Sequence, residues 1–142
     1  MTSAYFTIGS KCNHSCIFCP CKWEQRNKEI DVSVFEERIQ ELEAQKHIHS
    51  ITLSGGEPTI QHNFFDLLKC VAKTRLDVLL LTNSDRLSDP KLVSQIKEIL
   101  PPERLQITTA LHSNSPEIHD AITGCHGSFL PRSQILSGTG TR

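Results

Sequence analysis

The sequence predicts an α/β fold with a mainly parallel sheet of about four strands and three helices. Three observations carry this reading. Hydrophobic periodicity alternates between strand-like and helix-like segments along the chain. Each helix-like segment is long enough to cross back over a sheet between two parallel strands. The run "DVLLLTNS" is apolar almost without a break, the pattern of a strand buried on both faces, as in parallel sheets.

The elements follow in order. "AYFTIG" (Ala4 to Gly9) is aromatic and β-branched and ends at a glycine, a strand leading into a cysteine-rich loop. From Asp31, Phe35, Ile39 and Leu42 recur at helical spacing, with Ser33 and Glu36 as a capping box and an end near Lys46. "SITLSGGEPT" is a strand that stops in a turn needing unusual backbone angles. "FFDLLKCVAK" is a short helix with Phe64, Leu67, Leu68 and Val71 on one side. After "DVLLLTNS", "SDPKLVSQIKEILPP" has helix start and stop signals: Ser88 or Asp89 as cap, Pro90 in the first turn, Leu92, Ile96 and Ile99 inside, Pro101 and Pro102 as terminators. "RLQITTALHS" is a fourth strand. By spacing alone "SPEIHDAITGCHGSF" is a turn-rich connection, and the polar tail from residue 131 to 142 is irregular and expected to be disordered.

Composition narrows the function classes. The chain has 142 residues, 37% of them hydrophobic and 22% charged, with a formal net charge of -1, which describes one domain around one core. No basic excess points to nucleic acid and no charged tail to an electrostatic partner. The longest apolar run, Val78 to Leu81, is far too short to cross a bilayer, and "MTSAYFTIGS" has no charged segment followed by an apolar one. The expectation is a cytoplasmic protein whose six cysteines stay reduced and free to bind metal.

Four of those cysteines, Cys12, Cys16, Cys19 and Cys21, fall within "KCNHSCIFCPCKW" at the end of the first strand. Ligands of α/β sheets bind at the C-terminal ends of strands, and "SGGEPT", "TNS" and "LHSNS" fall at the next three such ends. Three residues separate Cys12 from Cys16 and two separate Cys16 from Cys19. Such a loop can turn three thiolates to an iron–sulfur cube and leave the fourth iron without a protein ligand. Structural zinc on all four cysteines has the right ligand count, although zinc sites usually take two separated pairs. Spacing therefore leaves an iron–sulfur cluster, zinc and no metal all open.

"CNHSCIFC", three cysteines with Phe18 just before the third, resembles the cysteine motif of the radical S-adenosylmethionine (radical SAM) enzymes. "SGGEPT", Ser54 to Thr59, is similar to the same family's glycine-glycine-glutamate motif. The resemblance covers Tyr5 to Phe129 and implies a partial, truncated (β/α) barrel: residues 1–130 would be the N-terminal part of a core domain that has six βα units in the family. It implies that Cys12, Cys16 and Cys19 hold a 4Fe-4S cluster whose open iron is chelated by SAM. Reductive cleavage of SAM would then give a 5′-deoxyadenosyl radical that abstracts hydrogen from substrate, and the protein would position the cofactor. Gly55 and Gly56 would let backbone approach the methionine moiety, and their turn, with Glu57, would hold its ammonium. Phe18 would lie near the adenine. Asn83, Ser84, His112 and Ser113, ending the third and fourth strands, would supply polar contacts to SAM.

The segment "SPEIHDAITGCHGSF", with His119, Asp120, Gly124, Gly127, Ser128 and Phe129, is similar to peptide-modifying members of the family. It favours a peptide substrate, with a metabolite or nucleic acid open. The family also implies a low-potential electron donor such as flavodoxin or ferredoxin. The alternatives from other classes are an iron–sulfur electron-transfer module and a zinc-binding domain. Cys21 reads as a bystander thiol, Cys70 as a small buried hydrophobe and Cys125 as incidental. His14 is placed to tune the cluster by a hydrogen bond, Trp23 to cover it, and His47, His49 and His62 as surface or turn residues.

Overall fold

The computed structural model describes residues 2–20 and 28–136. Four strands, β1 (Thr2–Gly9), β2 (Ile48–Gly55), β3 (Asp77–Leu81) and β4 (Leu105–Thr108), form one sheet in that spatial order. Every neighbouring pair is parallel. The helices α1 (Val32–Ala44), α2 (Phe64–Ala72) and α3 (Pro90–Ile99) make the three crossovers, so the C-terminal ends of all four strands lie along one edge. Among the described residues the sheet is open, with β1 and β4 at its edges.

The register explains where the core lies. Phe6, Leu53, Leu80 and Ile107 are aligned across the sheet, as are Ala4, Ile51, Val78 and Leu105. This face packs on the helices, where Phe35, Ile39, Leu67, Leu68, Leu92 and Ile96 complete a contiguous cluster of buried side chains. Phe6 meets Phe35 edge to face, with ring centroids 5.0 Å apart. The opposite face carries Tyr5, Thr52, Leu79 and Gln106 in register. "DVLLL" is thus buried on one face only: Val78 and Leu80 are inside, while Leu79 and Leu81 are half-buried and Tyr5 beside them is exposed. An open sheet leaves its inner face without the opposing strands that closure would provide.

Local chemistry sets the helix limits. The cap of α1 is Asp31, not Ser33: its carboxylate accepts from the Ser33 and Val34 amides, and the Ser33 hydroxyl donates to it. Asp89 caps α3, with Pro90 in the first turn as expected. Cys70 lies in α2 and is buried. His47, His49 and His62 are exposed, and His62 hydrogen-bonds Glu29 through both its amide and its ring.

The largest departure from expectation is at the C-terminal side. The connection after β4 contains α4 (Pro116–Thr123), and the stretch expected to be an irregular tail begins with α5 (Phe129–Leu136), making five α-helices rather than three among the described residues. The reason is a cap remote in sequence. The Asp120 carboxylate accepts from the Gly127 amide at 2.6 Å, the Phe129 amide at 3.1 Å and the Ser128 hydroxyl at 3.1 Å, satisfying donors at the start of α5 that periodicity does not reveal. Cys21 and Trp23 lie outside the described residues.

Leu80, fully buried in β3, should lose about 2–5 kcal/mol on replacement by alanine, read from urea unfolding. Ile107, 40% exposed on the edge strand, should lose less than about 1 kcal/mol from the same change.

Candidate functional site

The site begins where β1 ends. A chain leaving a strand into a cysteine loop would be mobile unless its backbone were tied down, and here three flanking elements tie it. The first is the turn after β2. The Gly56 amide donates to the Gly9 carbonyl and the Glu57 amide to the Lys11 carbonyl, both at 2.8 Å, and Gln61 Nε2 adds a second donor to Lys11 at 2.8 Å. That approach is why glycines are needed. A Cβ on Gly56 would stand 2.2 Å from the Lys11 carbonyl oxygen, and one on Gly55, where φ is 140°, 2.1 Å from that of Gly9. The two glycines therefore admit the cysteine loop's own backbone.

Glu57 follows them and is fully buried. Its Oε1 accepts from the Thr59 amide (3.1 Å) and hydroxyl (2.5 Å) and from the Thr82 hydroxyl (2.6 Å); Oε2 accepts from the Asn83 amide at 2.7 Å. A buried carboxylate is tolerable only with such a full set of donors. These bonds lock the turn after β2 to the end of β3. The carboxylate is held inside the protein by these bonds, behind the turn. Ser84 is buried beside it. Its relative exposure is zero and its φ 67°; its amide donates to Thr82 Oγ1 at 3.0 Å, and its hydroxyl has no hydrogen-bond partner among the described residues.

The second tie is the end of β3. Asn83, half-buried, donates through Nδ2 to Asn13 Oδ1 at 2.7 Å, and Asn13 Nδ2 donates to Asp85 at 3.1 Å. Asp85 Oδ2 also stands 2.5 Å from His14 Nε2. The His14 ring is thus directed at β3 and buried. Its backbone amide donates to Cys12 Sγ at 3.4 Å. The third tie is α4. The amides of Ser15 and Ile17 donate to the carbonyls of Thr123 and Ile122, both at 3.0 Å, and Gly124 ends α4 against Ser15. This is what the "HDAITG" segment does: its last turn accepts two bonds from the cysteine loop.

On this frame Cys12, Cys16 and Cys19 are all partly exposed and free of disulfides. Burial pushes the Cys12 thiol up, and the His14 amide pulls against it. Burial also raises the Cys16 thiol, opposed by the Arg132 guanidinium. Among the described residues, three ligand atoms gathered closely enough for one ion belong to His14, Asp85 and Cys125, within 4.8 Å of one another, and not to the three loop cysteines. Three partly exposed thiols on one loop are a donor set that fits an iron–sulfur cluster, whose irons take cysteine thiolates. Phe18, 59% exposed, lies edge-on to His112 with centroids 4.9 Å apart. His112 and Ser113 are half-buried after β4, and the His112 amide nitrogen lies 3.2 Å from His119 Nδ1.

The loops of all four strand ends therefore meet as expected. Asn13, Asp85 and Arg132 were not legible beforehand. Asp85, two residues past Asn83 at a strand end, offered a positional hint; Arg132 offered none. The inward role of Glu57 predicts that Glu57→Gln, which places an amide hydrogen against donors, destabilises the fold by about 2–3 kcal/mol in urea unfolding without added metal.

The model of the Radical SAM superfamily matches residues 6–128. A protein described as probable GTP 3′,8-cyclase from Thermococcus kodakarensis is 25% identical over 128 residues, spanning 89% of this chain and 40% of that protein. The crystal structure of Streptococcus suis SuiB bound to S-adenosylmethionine superposes with a TM-score of 0.75 at 17% identity, over 94% of this chain and 29% of SuiB. The structure of SuiB with its precursor peptide SuiA gives a TM-score of 0.74 at 15% identity, over 99% and 31%. The chain thus spans less than half the length of these relatives. With its cysteine loop and two-glycine turn at adjacent strand ends, and a family match over most of its length, this chain belongs to the radical SAM superfamily.

Proposed function

We propose that this chain is the N-terminal part of the core of a radical SAM enzyme, with Cys12, Cys16 and Cys19 as the ligands of a 4Fe-4S cluster and SAM bound beside it. The observation that carries the reading is the cysteine loop itself: three accessible thiols on a backbone already fixed by the turn after β2, the end of β3 and α4. When bound, cluster and SAM supply a 5′-deoxyadenosyl radical able to take hydrogen from an unactivated carbon.

The residues divide the remaining work. The Gly56 and Glu57 amides donate to the Gly9 and Lys11 carbonyls; to an ammonium, which can only donate, the Gly55–Gly56 turn offers carbonyl oxygen. Phe18, with more than half its surface exposed, offers an apolar face to adenine. Asn83, His112 and Ser113 offer polar groups at the ends of β3 and β4, and Glu57 and Ser84 support them from inside. The substrate class we favour is a peptide, supported by the "HDAITGCHGSF" segment and by the likeness to SuiB. Among the described residues no helix is long and apolar enough to cross a membrane.

The test is anaerobic reconstitution with iron and sulfide, reduction with dithionite, and assay of 5′-deoxyadenosine from SAM. Wild type should form a cluster and cleave SAM, and alanine at Cys12, Cys16 or Cys19 should abolish both. A cluster that forms and leaves SAM intact would instead support an electron-transfer module. Phe18→Ala should keep the cluster and raise the SAM dissociation constant about tenfold, the order expected for loss of one stacked ring.

A further inference from the structure

A cation stands behind the cysteine loop. Arg132, in the first turns of α5, is only 3% exposed. Its guanidinium joins three elements: Nε donates to the Asn83 carbonyl at 2.7 Å, Nη1 to His119 Nε2 at 2.5 Å and Nη2 to His14 Nδ1 at 3.3 Å. Arginine keeps its charge when buried, and none of these acceptors is an anion. The carboxylate of this network, Asp85, lies across the imidazole on the far side of His14.

The contacts fix the state of His14. A guanidinium can only donate, so Nδ1 accepts and Nε2 carries the hydrogen given to Asp85. With Nε2 committed and a guanidinium beside the ring, the grouping of His14, Asp85 and Cys125 does not suit a dication. It is suited to holding His14, and His14 in turn presents its amide to Cys12 Sγ at 3.4 Å.

We propose that Arg132 is a positioning residue for a cluster on Cys12, Cys16 and Cys19, holding the loop through His14 and, by its buried charge, making that cluster easier to reduce. This rests on the ligand assignment made under Proposed function. One electron from a donor such as dithionite adds one negative charge to the cluster, with no proton moved. An unscreened positive charge nearby stabilises the reduced form more than the oxidised one. Asp85, of opposite sign at the other end of the imidazole, acts in the reverse direction.

The experiment is an anaerobic redox titration followed by electron paramagnetic resonance, on the reconstituted full chain as wild type, R132K, R132Q and D85N. Iron and sulfide are counted first. A wild type that holds no cluster sinks the ligand assignment and this inference with it. With clusters present, R132Q should shift to lower potential, R132K should stay near wild type, and D85N should shift to higher potential. Unchanged R132Q, or an equal downward shift in R132K and R132Q, overturns the role of charge, as does a folded R132K that cannot hold a cluster. Should R132Q fail to fold, D85N decides: an upward shift supports the inference and no shift refutes it.

Discussion

Everything at the working edge of this protein depends on two backbone hydrogen bonds, from Gly56 to Gly9 and from Glu57 to Lys11. They bring the turn after β2 against the first residues of the cysteine loop, at a distance that leaves no room for a Cβ at either glycine. Glu57 then carries the constraint to the end of β3 through two of the four donors on its buried carboxylate, the Thr82 hydroxyl and the Asn83 amide. Bonds to a charged acceptor are the stronger ones, and each is stronger still away from water. The glycine-glycine-glutamate sequence is thus an architectural device first, joining the ends of three adjacent strands. Any ligand contacts it makes are made by a turn already fixed in place.

The C-terminal segment supplies the other half of the frame. Asp120 organises the α4–α5 junction, the end of α4 accepts the Ser15 and Ile17 amides, and α5 delivers Arg132 to His14. The Thr123 hydroxyl meets that of Ser128 at 2.7 Å and closes the same junction. A loop held from both sides costs little further ordering when a ligand arrives, which is the physical meaning of preorganisation. The Asp120 carboxyl is held below its ordinary range, chiefly by the Gly127 amide. A lowered folded value means that its stabilisation is present above the unfolded carboxylate range and fades as pH falls through the lowered one. The junction is therefore firm at neutral pH and loosens only in acid.

Much of the fold was legible because local signals agreed with the global arrangement. Phe35 and Ile39 at helical spacing, Ser88 or Asp89 as a cap before Pro90, and the two glycines closing β2 all agreed with one arrangement, and the parallel order followed. Legibility failed where the deciding contact is long-range. Ser33 looks like a cap until Asp31 is seen to accept from two amides. The residues after Gly127 look irregular until Asp120 caps them. Leu79 and Leu81 look buried because hydrophobicity cannot report that the sheet stays open. For the site, residue types and spacings disclosed the cysteines, the turn and Phe18. They could not disclose that Glu57 and Ser84 point inward, or that an arginine more than a hundred residues away reaches His14.

The central claim is that the cysteine loop is built before any metal binds. Amide hydrogen exchange on the anaerobic, metal-free chain reads this directly at Ser15, Ile17, Gly56 and Glu57, whose amides make the four tethering bonds. Protection at all four approaching that of core amides such as Leu80 is the predicted result. Rapid exchange at these positions, slowing only after iron and sulfide are added, would show that the cluster organises the loop and would contradict the claim.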